Sequence, residues 1–154
     1  MGDIVKALDL IVRESSGANL EELARDIAKD QVKSTRKNIE RGVSPNGKRF
    51  KPLAPSTIRS KRRKGQTLKP LIATRKMVDT LAYEVKREAK HVSAKIGATA
   101  KTKSGFPYPR VHQRGSRTVP ARPFLGFSAS DRKSIRSRVQ KFNRATLNKA
   151  ARAR

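Results

Sequence analysis

Leu20, Leu23, Ala24, Ile27, Ala28, Val32, Thr35 and Ile39 recur at helical intervals in this 154-residue chain. The spacing predicts one amphipathic α-helix over 19–41, which has to bury its apolar stripe against another layer. Asn19 supplies an N-cap, Glu22 completes a capping box, and Arg41-Gly42 closes the far end. At ~1.5 Å per residue the helix is roughly 33 Å long, about the width of a small domain. The other elements have to be fitted around it.

The material for a core is scarce. Hydrophobic residues make up 35% of the chain and aromatic residues 5%. A thin, aliphatic core of this kind gains stability from partner subunits. The length fits one domain over residues 1–154. Before the long helix, residues 3–14 place Ile4, Ala7, Leu8, Ile11 and Val12 on one face, which predicts a short helix within 1–17. Residues 71–82 read as a further amphipathic helix through Leu71, Ile72, Met77, Val78 and Leu81. The period then changes to two. Tyr83, Val85 and Arg87, then Val92, Ala94 and Ile96, mark a β-hairpin over 83–97, inside a helix-plus-sheet region spanning 71–128. Residues 98–109 read as a flexible loop. Within 129–154, Ser130 and Asp131 cap a final helix over about 131–147, carried by Ile135, Val139, Phe142 and Leu147, and the tail frays.

Residues 42–70 form a basic loop or arm. Pro45-Asn46-Gly47 has turn composition, Phe50 and Leu53 are its apolar anchors, and Pro55-Ser56 opens a short helix that is basic almost all round. Such a helix has no core face, so it is solvated or docked on something anionic. Its centre, Lys61-Arg62-Arg63-Lys64, lies in a stretch from Arg41 to Lys76 with twelve lysines and arginines and no acidic residue. The whole chain carries a formal net charge of +26. Residues 1–30 hold four basic and seven acidic side chains, so the excess belongs entirely to the rest. A surface of that sign attracts polyanions, whether nucleic acid or acidic protein, with a steep dependence on salt.

The same composition argues against several chemistries. There is no cysteine, and the two histidines are far apart in sequence, so thiolate and histidine-cluster metal sites are not expected and no cofactor is implied. Only Glu40, Asp79, Glu84, Glu88 and Asp131 lie beyond position 30, and none forms a ligand set. A triad of His112, Asp131 and Ser116 can be written down, but no nucleophile elbow or oxyanion loop frames the serine. No phosphate-binding loop is present, and no apolar run approaches the ~18 residues of a membrane span. The acidic, amphipathic N-terminus does not read as a secretory signal.

Residues 111–128, VHQRGSRTVPARPFLGFS, have a logic of their own. Pro120 and Pro123 hold the residues before them in extended geometry and present Phe124 and Leu125 to an apolar pocket. The segment is either an interface arm, with Arg122 among its contacts, or a strand closing the domain's own sheet. His112 reads as a hydrogen-bonded structural residue that fixes a local turn with Gln113 and Gly115.

HQRG followed by VPARPFLGFS and Asp131, with GVSPNGKRFKPLAPSTIRSKRRKG and LKPLIAT upstream, resembles the phage virion morphogenesis (tail completion) family of Mu-like and P2-like phages. The parts keep the family's order and spacing over most of residues 20–140. Two positions depart: Arg75 stands where relatives are expected to have glycine, and Phe50 where tryptophan is common. The resemblance implies an α+β fold, a long N-terminal helix packed on a small antiparallel β-sheet with basic loops and a C-terminal helix. It also implies a non-enzymatic structural protein of the virion neck, forming a homo-oligomeric ring, hexameric or dodecameric, among other neck and tail proteins. That ring would complete the tail and join it to the head connector. On this reading Phe50, Leu53, Lys61, Arg62, Arg63, Arg122, Phe124 and Leu125 are subunit-interface candidates, and His112, Gln113, Gly115, Pro120 and Pro123 are structural. Contact with phage DNA remains open, and the alternative is a small basic nucleic-acid-binding protein.

Overall fold

The computed structural model describes residues 9–13, 20–88 and 91–152. In chain order the elements are β1 (Asp9–Arg13), α1 (Leu20–Arg41), α2 (Pro55–Arg63), α3 (Lys76–Asp79), β2 (Leu81–Glu88), β3 (His91–Ala98), α4 (Tyr108–Arg114) and α5 (Ala129–Arg152). The strands form one antiparallel sheet in the order β1-β3-β2, and α1 packs on β2 and β3. The fold is therefore α+β, a long helix on a small antiparallel sheet with a C-terminal helix beside it.

The stripe on α1 explains that layer. Leu20, Leu23, Ala24, Ile27, Ala28, Val32, Thr35 and Ile39 are all buried, and Gln31 is buried with them. Gly42, at φ 72°, ends the helix and donates its N–H to the Ile39 carbonyl. Opposite lie Val92, Ala94, Ile96 and Ala98 of β3, which is the central strand. Each large aliphatic side chain removed from water there contributes about 1.5–3 kcal/mol. The hairpin register runs from Leu81 opposite Ala98 to Glu88 opposite His91. Ser93 and Gly97, small residues on the other face of β3, are buried too. The alternation expected for the hairpin is blurred on both strands: Glu84 is half-buried like Tyr83 and Val85 on β2, and both faces of the central strand are covered.

Five local expectations are corrected. Residues 9–13, placed in a helix by periodicity, form β1, paired with β3 from Asp9 opposite Lys95 to Arg13 opposite His91. Five residues with adjacent Ile11 and Val12 fit either period, and the free edge of β3 decides in favour of the strand. The rest of that expected helix, and the Asn19 cap, lie outside the described residues.

Residues 71–82 are not one helix. Leu71 and Arg75 take positive φ, 62° and 58°, and only the single turn α3 follows before β2 begins at Leu81. The Thr80 hydroxyl donates to the Lys76 and Met77 carbonyls and closes that turn. The apolar residues are nonetheless inside: Ile72, Met77, Val78 and Leu81 are buried. Arg75 occupies a left-handed backbone position, which accounts for glycine being the expected residue there.

Residues 108–114, read as the end of a loop and the start of a turn, form α4, with Pro109 in its first turn, where proline lacks no needed N–H. The segment after it, 115–128, contains no strand, so the reading as a sheet-closing strand fails. It runs as an irregular chain across the core, and Phe124 (0% exposed) and Leu125 join Ala28, Val32, Ile39, Phe50, Met77 and Ile96 in one cluster. The last helix starts earlier and ends later than expected. Ser128 is its cap: the Ser128 N–H donates to Asp131 Oδ2 at 2.8 Å, and the Asp131 N–H donates to Ser128 Oγ at 3.0 Å. Arg138 ties α5 to α1 through Asp26 and Asp30, and Phe142 packs against Leu20, Ala24 and Val92.

Candidate functional site

The HQRG and PARPFLG motifs meet in space because one side chain knits them together. Gln113 Oε1 accepts the N–H groups of Phe124 and Leu125, both at 3.0 Å, and its Nε2 donates to the Leu125 carbonyl at 3.1 Å. It replaces the neighbouring strand that this stretch of backbone lacks. Gln31, from the buried stripe of α1, donates to the Gly126 carbonyl at 2.8 Å. Gly115 allows the close approach: its φ is 80°, and a Cβ there would lie 2.9 Å from the Ala121 nitrogen. The Arg122 N–H then donates to the His112 carbonyl at 2.7 Å.

Arg122 fastens this unit to the basic loop. Its Nε donates to the Lys51 carbonyl at 2.8 Å and Nη2 to the Pro52 carbonyl at 2.7 Å. Nη1 has no hydrogen-bond partner among the described residues. Lys61 works in the same way from α2. Only 8% exposed, it points inward, and its ammonium donates to the carbonyls of Thr67, Lys69 and Ile72 at 2.8, 2.9 and 2.5 Å. The expectation of a helix with no inward face is corrected here: one lysine of the basic run organises the loop over 64–72. Arg62 and Arg63 remain exposed.

Lys61, Arg122 and His112 share the wall of a cleft of about 280 Å³, together with Leu53, Leu71 and Met77. Its mouth is formed by 73–76, all exposed, where Arg75 pairs with Glu40 and Asp79. No carboxylate among the described residues forms an ion pair with Lys61 or Arg122. Burial, and secondly the Arg122 guanidinium, lower the Lys61 pKa from the ordinary 10.5. Burial alone lowers that of Arg122, and burial raises that of Tyr108. His112 meets the Tyr108 ring edge-on at 6.0 Å, and its Nδ1 is buried with no hydrogen-bond partner.

The His112 pKa is lowered from 6.5, by burial first and by Arg122 second. The ring is therefore held neutral in the fold, with the cations Arg122, Lys61, Arg75 and Lys76 lining the same cleft. Because the unfolded chain takes up the proton first, this contribution is complete above 6.5 and is lost as pH falls toward the folded value. Denaturation followed between pH 7 and pH 5 is expected to show a fall in stability, and His112→Gln should flatten that part of the profile.

The positions singled out in the sequence separate into three groups. Phe50, Phe124 and Leu125 are core residues, with their side chains engaged within the chain. Leu53, Lys61, Arg122 and His112 converge on the cleft, with Gln113 and Gly115 holding its α4 side in place. Arg62, Arg63, Pro120 and Pro123 lie exposed. The residues of the conceivable triad are used elsewhere: Asp131 in the α5 cap and Ser116 Oγ in accepting the Thr118 and Val119 N–H groups. Among the described residues no group of three His, Asp or Glu side chains could hold a metal ion. Gln31 and Tyr108 were not singled out by sequence; a glutamine inside the α1 stripe was the available signal for the first.

A family profile, that of the phage virion morphogenesis family, matches residues 2–142, and the chain belongs to this family. Its role accordingly lies in building the phage virion, in a family of structural and assembly proteins. The chain is also similar to an uncharacterized protein of Methanocaldococcus jannaschii, 31% identical over 106 residues that span 68% of this chain and 74% of the relative. No solved structure matches. No helix among the described residues is long and apolar enough to cross a membrane.

Proposed function

We propose that the chain is a subunit of a homo-oligomeric ring in the virion neck, completing the tail and joining it to the head connector. Family membership sets the context, and the observation that carries the finer reading is the distribution of unopposed charge. Arg59, Arg62, Arg63 and Lys64 on and just after α2, and Arg132, Lys133, Arg136, Lys141 and Arg144 on α5, are exposed. None of these nine forms an ion pair among the described residues. Such faces are adapted to acidic neighbours, and a subunit with so thin a core gains stability when they are covered.

The test is complementation of a phage lacking this gene. Reversing Arg62, Arg63 and Lys64 to glutamate leaves the core and the Lys61 contacts in place, so the variant should fold but fail to restore infectious particles. Full restoration would contradict the role given to that face. The same exposed cations support a second reading, non-specific contact with DNA. Tight duplex binding by the isolated chain at physiological salt, with affinity falling steeply as salt rises, would favour it.

A further inference from the structure

The cleft beneath residues 71–76 contains an electrostatic imbalance that the fold does not resolve. Lys61 and Arg122 are 8% and 6% exposed, and carbonyl oxygens are their hydrogen-bond partners. Carbonyls supply partial charge, whereas buried cations in proteins are ordinarily matched by an anion. The hydrogen bonds of the Arg122 side chain are made by Nε and Nη2, which leaves Nη1 available, and His112 on the same wall has a buried Nδ1 without a partner. The lining also includes the apolar Leu53, Leu71, Ile72, Ala73 and Met77, with Tyr108, Thr74, Arg75 and Lys76 completing it.

We propose that this cleft receives an acidic side chain of a partner virion protein, with its carboxylate at Lys61 and Arg122 and an adjacent apolar residue against the half-buried Leu53 and Leu71. The inference rests on the assembly role proposed above and names the contact chemistry for one surface of it. The mixed wall selects the occupant. A nucleic-acid backbone brings phosphates but no apolar group, and would leave the half-buried Leu53 and Leu71 in water. A peptide carrying glutamate beside leucine satisfies both halves at once. Lys61 has its three protons engaged, so it acts through charge, while Arg122 Nη1 gives direction.

The experiment is an NMR titration of the full-length chain, following the His112 ring and the backbone amides of 71–76. The probes are acetyl-Leu-Glu-Leu-amide, its Gln counterpart, inorganic phosphate and a short duplex DNA. The Glu peptide should produce saturable shifts confined to these signals, with the Gln peptide at least about tenfold weaker, as loss of one charge near a protein surface implies. Lys76→Glu, an exposed change at the mouth, should weaken Glu-peptide binding to a similar degree while leaving the fold intact. Equal shifts from the Glu and Gln peptides would overturn the proposal. So would phosphate or duplex moving the same signals at lower concentration than the peptide. Neither result would alter where the chain sits in a particle, so failure here is separable from failure of the neck assignment.

Discussion

Phe124→Ala is expected to cost about 3–5 kcal/mol of folding stability, the range for emptying a fully buried aromatic site. Phe124 is 0% exposed and lies in the cluster that joins α1, β3 and the 115–128 segment. A thin core has few other side chains to relax into the space, and net stabilities of small domains are themselves only about 5–15 kcal/mol. Urea denaturation of the purified variant checks the figure. Leu147→Ala is the control: Leu147 is 70% exposed on α5, so its removal should fall within about 0.5 kcal/mol of the parent. A small effect at Phe124 would mean that its side chain does not hold the core together and is available to a neighbour. The expected large effect also means that a loss of assembly in this variant reports unfolding, not a broken interface.

Gln113→Ala should be nearly as severe, at about 3 kcal/mol or more. The mutation leaves the Phe124 and Leu125 N–H groups and the Leu125 carbonyl without their partner. Each buried backbone group left unpaired costs roughly 1–3 kcal/mol. Hydrogen exchange distinguishes this mechanism from general loosening. The amides of Phe124 and Leu125 should lose protection first, while those of α1 remain slow at concentrations of denaturant below the global transition. Uniform loss of protection across the chain would argue that Gln113 acts through packing and not through these bonds.

Both predictions concern a motif whose letters were conspicuous in the sequence but whose geometry was not. PARPFLG could be seen to straighten the chain and present Phe124 and Leu125. The pocket that receives them could not be seen, because it is built from α1 and β3, remote in sequence. In the structure those two side chains complete the chain's own core. The inward turn of Lys61 was out of reach for a related reason. Charge is a poor guide to burial, and only the fold places three carbonyls around one ammonium of a basic run.

Long periodic signals fared better. The α1 stripe runs for six turns and admits no second interpretation, and the apolar residues of the hairpin alternate in sequence over two segments that pair as strands. Short apolar stretches did not. In DLIVR at 9–13 and LIATRKMVDTLA at 71–82 the four or five apolar positions fit both periods, although Ile72, Met77, Val78 and Leu81 are buried as the second pattern implies. Their conformation is decided by an open strand edge in the first case and by Lys61 and Thr80 in the second. For the site, sequence pointed to Arg122, His112 and Lys61 one by one. It could not show that they converge, since that requires α2, the 71–76 turn and α4 to close around one cleft.

The central claim, a ring at the neck, is tested most directly by electron cryomicroscopy of intact particles with this chain located in the density. Several copies should form a closed ring at the head-proximal end of the tail, with the exposed faces of α2 and α5 against neighbouring protein. Copies bound along the packaged DNA, or absence of the chain from the finished particle, would contradict it.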